Sequence, residues 1–264
     1  MRIASLQPSV TLTLHALGKL DTLCAVTKYC LQALPELAAR NIPVLHDSWT
    51  ADTDEILATH PDLVVASVPY RMESLAAILK SGLPVLAFAP HNLADIYNDI
   101  RLIGGVVEAC DQAESLIRLM QQTIAATREK VAFAPTRSVY CEEWGKPMIH
   151  SQPWVAELIE AAGGTFIGAP GTHTTPEEVA DADPDTLLFA WCGAGNRVPL
   201  AKVVVQRNWQ PLRAVRSGSV FCIPDEYLNT PAPTLLEGLA CIASAIHPEL
   251  FPRHRQLVAL TPND

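Results

Sequence analysis

The feature that most constrains this 264-residue chain is an internal echo. The run Glu55-Ile-Leu-Ala-Thr-His-Pro-Asp-Leu-Val-Val-Ala66 returns as Glu178-Val-Ala-Asp-Ala-Asp-Pro-Asp-Thr-Leu-Leu-Phe-Ala190. In each copy a short helical stretch ends at Pro-Asp and an unbroken apolar run follows. Proline forbids continuation of the helix, aspartate favours the turn, and the apolar run suits a parallel strand covered on both faces. A weaker echo sets Ala16-Leu17-Gly18 before one strand against Ala161-Ala162-Gly163-Gly164 before another. Two echoes in the same order predict two lobes of related topology.

The rest of the chain fits that division. Strand-like runs near Arg2–Leu6, Leu23–Thr27, Asp62–Ala66 and Pro84–Phe88 form one series, and those near Ser138–Cys141, Thr165–Ile167, Thr186–Ala190 and Val220–Ile223 form a second. Helical patterns alternate with them, the sequence form of parallel sheets covered by helices. Between the series, Leu116, Ile117, Met120, Ile124 and Val131 recur at helical spacing with no Gly or Pro from Asp111 to Lys130. One long helix is expected there. The predicted architecture is α/β: two Rossmann-like lobes with parallel sheets, an N-terminal lobe over 1–109, a linker helix over 110–134, and a C-terminal lobe over 135–264 entered at Pro135. Ser9 is expected to cap the helix that ends at Gly18, Asp52 with Glu55 gives a capping-box-like start to the next, and Thr175-Pro-Glu-Glu178 is the clearest helix start.

Composition removes several function classes. A net charge of −9 without any basic stripe argues against a nucleic-acid surface. No apolar run approaches the roughly 20 residues a spanning helix needs, so membrane insertion is not expected. The first strand-like run starts directly after Met1, which predicts a cytoplasmic chain, or a periplasmic one whose export signal has been replaced by a methionine. Seven cysteines form an odd set without Cys-x-x-Cys spacing, as expected of buried thiols. Ser9 lacks a nucleophile elbow, and Gly193-Ala-Gly195 is too short for a dinucleotide fingerprint. Glu142 and Glu143, being adjacent, point to opposite sides of a strand end and do not form an acid/base pair. His46, His91 and His150 have no ligand spacing, so no metal site is expected. No catalytic set assembles, and no cofactor is called for.

Ligands of open parallel sheets bind beyond the carboxyl ends of the strands, where helix N-termini and loops converge. Two such sheets face to face predict a cleft. The residues singled out by this rule are Gln7, Ser9, Tyr29, Trp49, Tyr70 and Arg71 from the first lobe and Glu143, Trp144, Trp191 and Asn229 from the second. Three of the five tryptophans are thus expected at the ligand, and exposed indoles offer broad, stiff apolar faces suited to a large, partly planar molecule.

Arg2-Ile-Ala-Ser-Leu-Gln-Pro-Ser9, Ala25-Val26-Thr27, Pro61-Asp62-Leu63-Val64, Glu142-Glu143-Trp144, Trp154 to Gly164, and Asn229-Thr-Pro231-Ala-Pro233 with Glu237-Gly238-Leu239 resemble the cobalamin-binding and iron-chelate substrate-binding proteins of ABC importers. The resemblance spans nearly the whole chain. It implies a non-enzymatic binder that holds cobalamin (vitamin B12) or a related corrinoid between its lobes, with a ferric-siderophore or haem binder as the alternative in the same class; outside that class, a corrinoid-related enzyme or a ligand-sensing interaction protein are the other readings. It also implies acidic residues that dock on an importer permease. Glu73 matches the first, but Asn196, beside Arg197, stands where the second belongs, and Thr11-Leu12 replaces the family's Thr-Glu.

Overall fold

The structure, a computed structural model, describes residues 1–261 and divides into two compact units. The first comprises Met1–Leu119 with Pro231–Pro233, and the second Met120–Thr230 and the chain from Thr234 onward.

In the first unit the strands are β1 (Ile3–Ser5), β2 (Leu23–Thr27), β3 (Val44–Leu45), β4 (Leu63–Ser67) and β5 (Val85–Phe88), in the order β3-β2-β1-β4-β5. Every pairing is parallel. The helices are α1 (Pro8–Ala16), α2 (Lys28–Ala33), α3 (Thr53–Ala58), α4 (Met72–Lys80) and α5 (Leu93–Val106). β1 and β2 are buried along their whole length, which is why they read as continuous apolar runs.

α6 (Cys110–Lys130) begins in the first unit and ends in the second. Ala113, Ile117, Met120 and Ile124 form its buried stripe, with the spacing that predicted it.

The second unit holds β6 (Arg137–Gly145), β7 (Met148–His150), α7 (Pro153–Ala161), β8 (Gly164–Phe166), α8 (Pro176–Ala182) and β9 (Thr186–Phe189). It continues with α9 (Leu200–Gln206), α10 (Arg213–Arg216), β10 (Val220–Cys222), α11 (Leu235–Ile246) and β11 (Val258–Ala259). The sheet runs β11-β10-β9-β6-β7, with β8 pairing beside β7 along the same edge of β6. β7 and β11 are antiparallel additions, and the remaining pairings are parallel.

The echo has a physical basis visible in both units. The residue before each Pro-Asp, His60 or Asp183, adopts a left-handed backbone with φ of 48° or 40°, which ends the helix. The aspartate then acts on the central strand rather than on the turn alone. Asp62 Oδ2 accepts the Arg2 N–H at 2.6 Å, and Asp185 Oδ2 accepts the Ser138 N–H at 2.9 Å. Each aspartate N–H returns a bond to the carbonyl of the same residue, at 2.8 and 2.9 Å.

Several local expectations need correction. Ser9 lies inside α1, because Pro8 takes the first helical position and Gln7 is the N-cap. Asp52 does cap α3, but Glu55 turns to the His46 ring (2.7 Å) instead of closing a box; Thr175 and Glu178 form the complete box. β6 runs four residues past the predicted strand, so Glu142, Glu143 and Trp144 lie on a strand, not in a loop beyond one. All seven cysteines are free; five are buried, Cys192 is half-buried and Cys110 is exposed.

Candidate functional site

Each sheet has one place where successive connections leave in opposite directions, and in open parallel sheets a crevice forms there beyond the strand ends. In the first unit α1 carries the chain from β1 toward β2, and α4 carries it from β4 toward β5 on the other side. The crevice is therefore flanked by Gln7–Ser9 and Pro69–Arg71. In the second unit α7 leads from β6 and β7 to β8, and α9 and α10 lead from β9 to β10. Its flanks are the end of β6 and the Trp191–Gly195 loop.

In the first unit Gln7 is buried, and its amide nitrogen donates to Ser48 Oγ (2.6 Å) and to the Pro69 carbonyl (2.9 Å). It ties together the segments that follow β1, β3 and β4. Ser48 and Pro69 bond each other as well, and Val68-Pro69 is cis. Ser9 is buried with its hydroxyl unpartnered. Trp49 sits in a turn held by Asp47 Oδ1, which accepts from the N–H groups of Trp49 and Thr50 and from the Thr50 hydroxyl. Its indole is 51% exposed, and the Arg71 guanidinium lies 5.6 Å from the ring centre. Tyr70 is half-buried against the core, while Tyr29 opens α2 with Lys28 Nζ 4.8 Å from its ring centre. His46 pairs with Glu55, whose hydrogen bond and charge raise the imidazole's proton affinity.

The second unit is built on a buried ion pair. Glu142 has no exposed surface and accepts from Arg207 Nη1 (2.7 Å), Arg207 Nη2 (2.9 Å), Trp191 Nε1 (2.7 Å) and the Tyr140 hydroxyl. Burial, then the Glu142 charge, push the Tyr140 phenol far above its ordinary range, so it remains a donor. Arg207 also lies 4.8 Å from the Trp209 ring centre and 5.9 Å from that of Trp191. Glu143 points away from this network, as alternation along a strand requires. It accepts from Gln152 Nε2 (2.6 Å), and Cys192 Sγ is 3.7 Å from its other oxygen. Burial raises the Glu143 carboxyl above its usual range, against those two bonds.

Around Glu143, Asn229 Nδ2 donates to the Ala190 carbonyl (2.6 Å) and to Cys192 Sγ (3.2 Å), and its buried Oδ1 has no partner. Asp225 shapes the neighbouring loop by accepting the Gly193 and Gly195 N–H groups at 2.8 and 2.7 Å. Trp144 is 43% exposed and bonds the Lys146 carbonyl, whereas Trp191 is half-buried and packed against the core.

In the first unit Gln7, Ser48 and Pro69 are hydrogen-bonded together and Trp49 meets Arg71, and in the second Glu143 and Asn229 meet through Cys192, whereas Trp191 bonds Glu142 on the other face of β6 and Trp144 bonds only the Lys146 carbonyl next to it. Ser48, Cys192 and Asp225 lie at strand-end loops as expected, but their partners, and the role of Gln152, are set by contacts distant in sequence. A polar residue just past a strand end was the available signal for Cys192 and Asp225. Among the described residues no group of three or more His, Cys, Asp or Glu side chains converges to hold a metal ion. Nor is any described helix long and apolar enough to cross a membrane.

Residues 3–227 match the family model described as periplasmic binding protein. The chain belongs to that family. Its members are substrate-binding proteins of ABC transporters, not enzymes. A cobalamin-binding protein of Halobacterium salinarum is 24% identical over 259 residues, covering 93% of this chain and 69% of the relative. An uncharacterised ABC transporter substrate-binding lipoprotein of Bacillus subtilis is 22% identical, covering 95% of this chain and 81% of the relative. Among solved structures, a periplasmic haem-binding protein of Pseudomonas aeruginosa superposes with a TM-score of 0.87 at 18% identity, covering 98% of each chain. At that identity the likeness establishes the two-lobed fold alone.

Proposed function

We propose that this family member binds cobalamin or a related corrinoid for an ABC importer. The observation that carries the reading is the pair of exposed indoles at the strand ends, Trp49 at 51% and Trp144 at 43%. Such surface is costly to leave in water and suits the broad apolar faces of a macrocycle. Peripheral amides of a corrinoid need neutral partners, and Asn229 Oδ1 and Ser9 Oγ are buried without a hydrogen-bond partner among the described residues. The cobalamin-binding relative supports the same ligand class.

Haem is the second reading, favoured by the likeness to the Pseudomonas haem-binding fold and by Arg71 and Lys28, which suit carboxylates. Glu73, exposed in the first turn of α4, is the proposed permease-docking residue of the first unit. Family membership and the lipoprotein relative support the periplasmic or lipoprotein placement over the cytoplasmic one, the two that the sequence leaves open.

Titrating the protein with hydroxocobalamin, cyanocobalamin and haemin, followed by calorimetry and visible spectra, tests the proposal. Corrinoid binding is expected, weakened about tenfold by Trp49→Ala and by Trp144→Ala separately, since each stacked aromatic contributes on the order of 1 kcal/mol beyond area burial. No corrinoid binding at high micromolar concentration, with a haem Soret shift, overturns it in favour of haem.

A further inference from the structure

We infer that the second unit carries a separate binding site for a small organic anion at the amino end of its sheet, away from the strand-end loops. A cavity of about 640 Å³ opens there, lined by residues at the starts of β6, β9 and β10 and at the ends of α10 and α11. That volume lies within the range of small-molecule sites. In a chain of net charge −9 with only 19 basic residues, three arginines meet in this one cavity: Arg137, Arg213 and Arg216.

Their commitments differ. Arg213 is spent: Nε donates to Asp183 Oδ2 (2.9 Å), Nη2 to the Asp183 carbonyl (2.6 Å), and Nη1 lies 3.0 Å from Asp185 Oδ1. Arg137 and Arg216 make no side-chain hydrogen bond or close ion pair among the described residues; Arg137 acts on Asp185 and Glu249, and Arg216 on Asp183, only through longer-range charge. The two carboxylates on the cavity wall already have internal partners. Asp185 accepts from the N–H and hydroxyl of Ser138, and Glu249 Oε1 is 3.0 Å from His247 Nδ1.

Two guanidiniums thus remain for a ligand, with the Ser217 and Ser219 hydroxyls beside them. Phe221 and Ile246 give the cavity an apolar wall. Paired guanidiniums select carboxylate or phosphate oxygens, and the apolar wall selects an organic body on the anion. The ligand class is therefore a monocarboxylate or phosphate monoester with a small hydrophobic group.

The test uses the full chain and three probes: phenyl phosphate, inorganic phosphate and benzyl alcohol, followed by calorimetry and by amide chemical shifts. Phenyl phosphate is expected to bind more tightly than inorganic phosphate and to move the resonances of Ser217–Phe221, and benzyl alcohol is expected not to bind. Arg137→Gln combined with Arg216→Gln should weaken phenyl phosphate at least about tenfold, the loss of charge-assisted hydrogen bonds. Both residues are exposed, so the fold should persist, and an unchanged hydroxocobalamin titration separates this site from the strand-end reading. Unchanged phenyl phosphate affinity in the double variant, shifts elsewhere only, or no binding up to about 10 mM, a concentration that would still register a contact of roughly 3 kcal/mol, overturns the inference.

Discussion

Replacing Arg207 by methionine isolates the strongest single constraint on the second unit. Glu142 is fully buried and Arg207 only 10% exposed, so the carboxylate has no route to water when its partner is removed. The substitution deletes two short charge-assisted bonds to Glu142, a 3.2 Å bond to the Gly145 carbonyl, and the cation's contact with the Trp209 face. Trp191 and Tyr140 still donate to the carboxylate, but neither carries charge. Breaking a buried pair by removing one member typically costs about 3–5 kcal/mol, and the direct attraction of two charges about 4 Å apart is of the same order, about 4 kcal/mol at an effective dielectric constant of 20. The expected loss is therefore about 3–5 kcal/mol, read in urea unfolding of the second unit with near-ultraviolet circular dichroism reporting on Trp191. Glu142→Gln in the Arg207→Met background removes the stranded charge and leaves an amide that still accepts from Trp191. It should recover at least about 2 kcal/mol, far from additive. Arg207→Met costing under about 1 kcal/mol, or costs that simply add, would refute this account of the network.

Other outcomes follow from the same geometry. Burial, and after it the Asp95 charge, push the Asp99 carboxyl up to about 7. Its neutral form is favoured on folding, so that stability is complete near pH 4 and lost as pH climbs through about 7; after allowance for partial exposure, Asp99→Asn should gain about 1 kcal/mol at pH 8 and nothing at pH 4 in parallel urea titrations. Asp185 behaves in the opposite sense: burial opposes ionisation, but the Ser138 donors and Arg213 hold its carboxyl below the usual range. Asp185→Ala should cost about 1 kcal/mol near neutrality, discounted for solvent screening, and the gap to the parent should close as pH falls below the ordinary carboxylate range. Gly145→Ala would set a Cβ 2.4 Å from Trp191 Cζ2, so it should cost about 1–3 kcal/mol and shift the Trp191 fluorescence, whereas Gly105→Ala, inside α5 with open space around it, should leave the fluorescence alone and gain about 0.5–1 kcal/mol.

What could be read from the chain depended on how local the deciding interaction was. The strand Leu23–Thr27 and the existence of the long helix are legible because burial imposes continuous and four-residue spacings respectively, although that helix ends at Lys130 and not at 134. The two-residue strands Val44–Leu45 and Val258–Ala259 are too short for any period to register, and Met148–His150 exists because β6 turns back on itself after Lys146-Pro147. The site divides along the same line. Alternation along β6 foretold that Glu142 and Glu143 face apart, but not which faces inward. That choice is made by Arg207, 65 residues later, and by Trp191, 49 residues later.

The same separation explains why Gln7 reads from sequence as a residue for the ligand. Its position past β1 is right for that role, yet its nitrogen is occupied by Ser48 and Pro69, 41 and 62 residues away. Polar residues at strand ends thus fall into two kinds that composition does not distinguish. Gln7, Glu142 and Asp225 have donors or acceptors supplied from within their own unit and set the shape of the crevice. Ser9 and Asn229 keep a buried polar atom unpaired, at a cost of about 1–3 kcal/mol for each. His247 Nε2 at the end of α11 is left unpaired among the described residues too, so it is the position of Ser9 and Asn229 beyond the strand ends, together with their free atoms, that makes them better partners for a ligand's polar groups than Gln7.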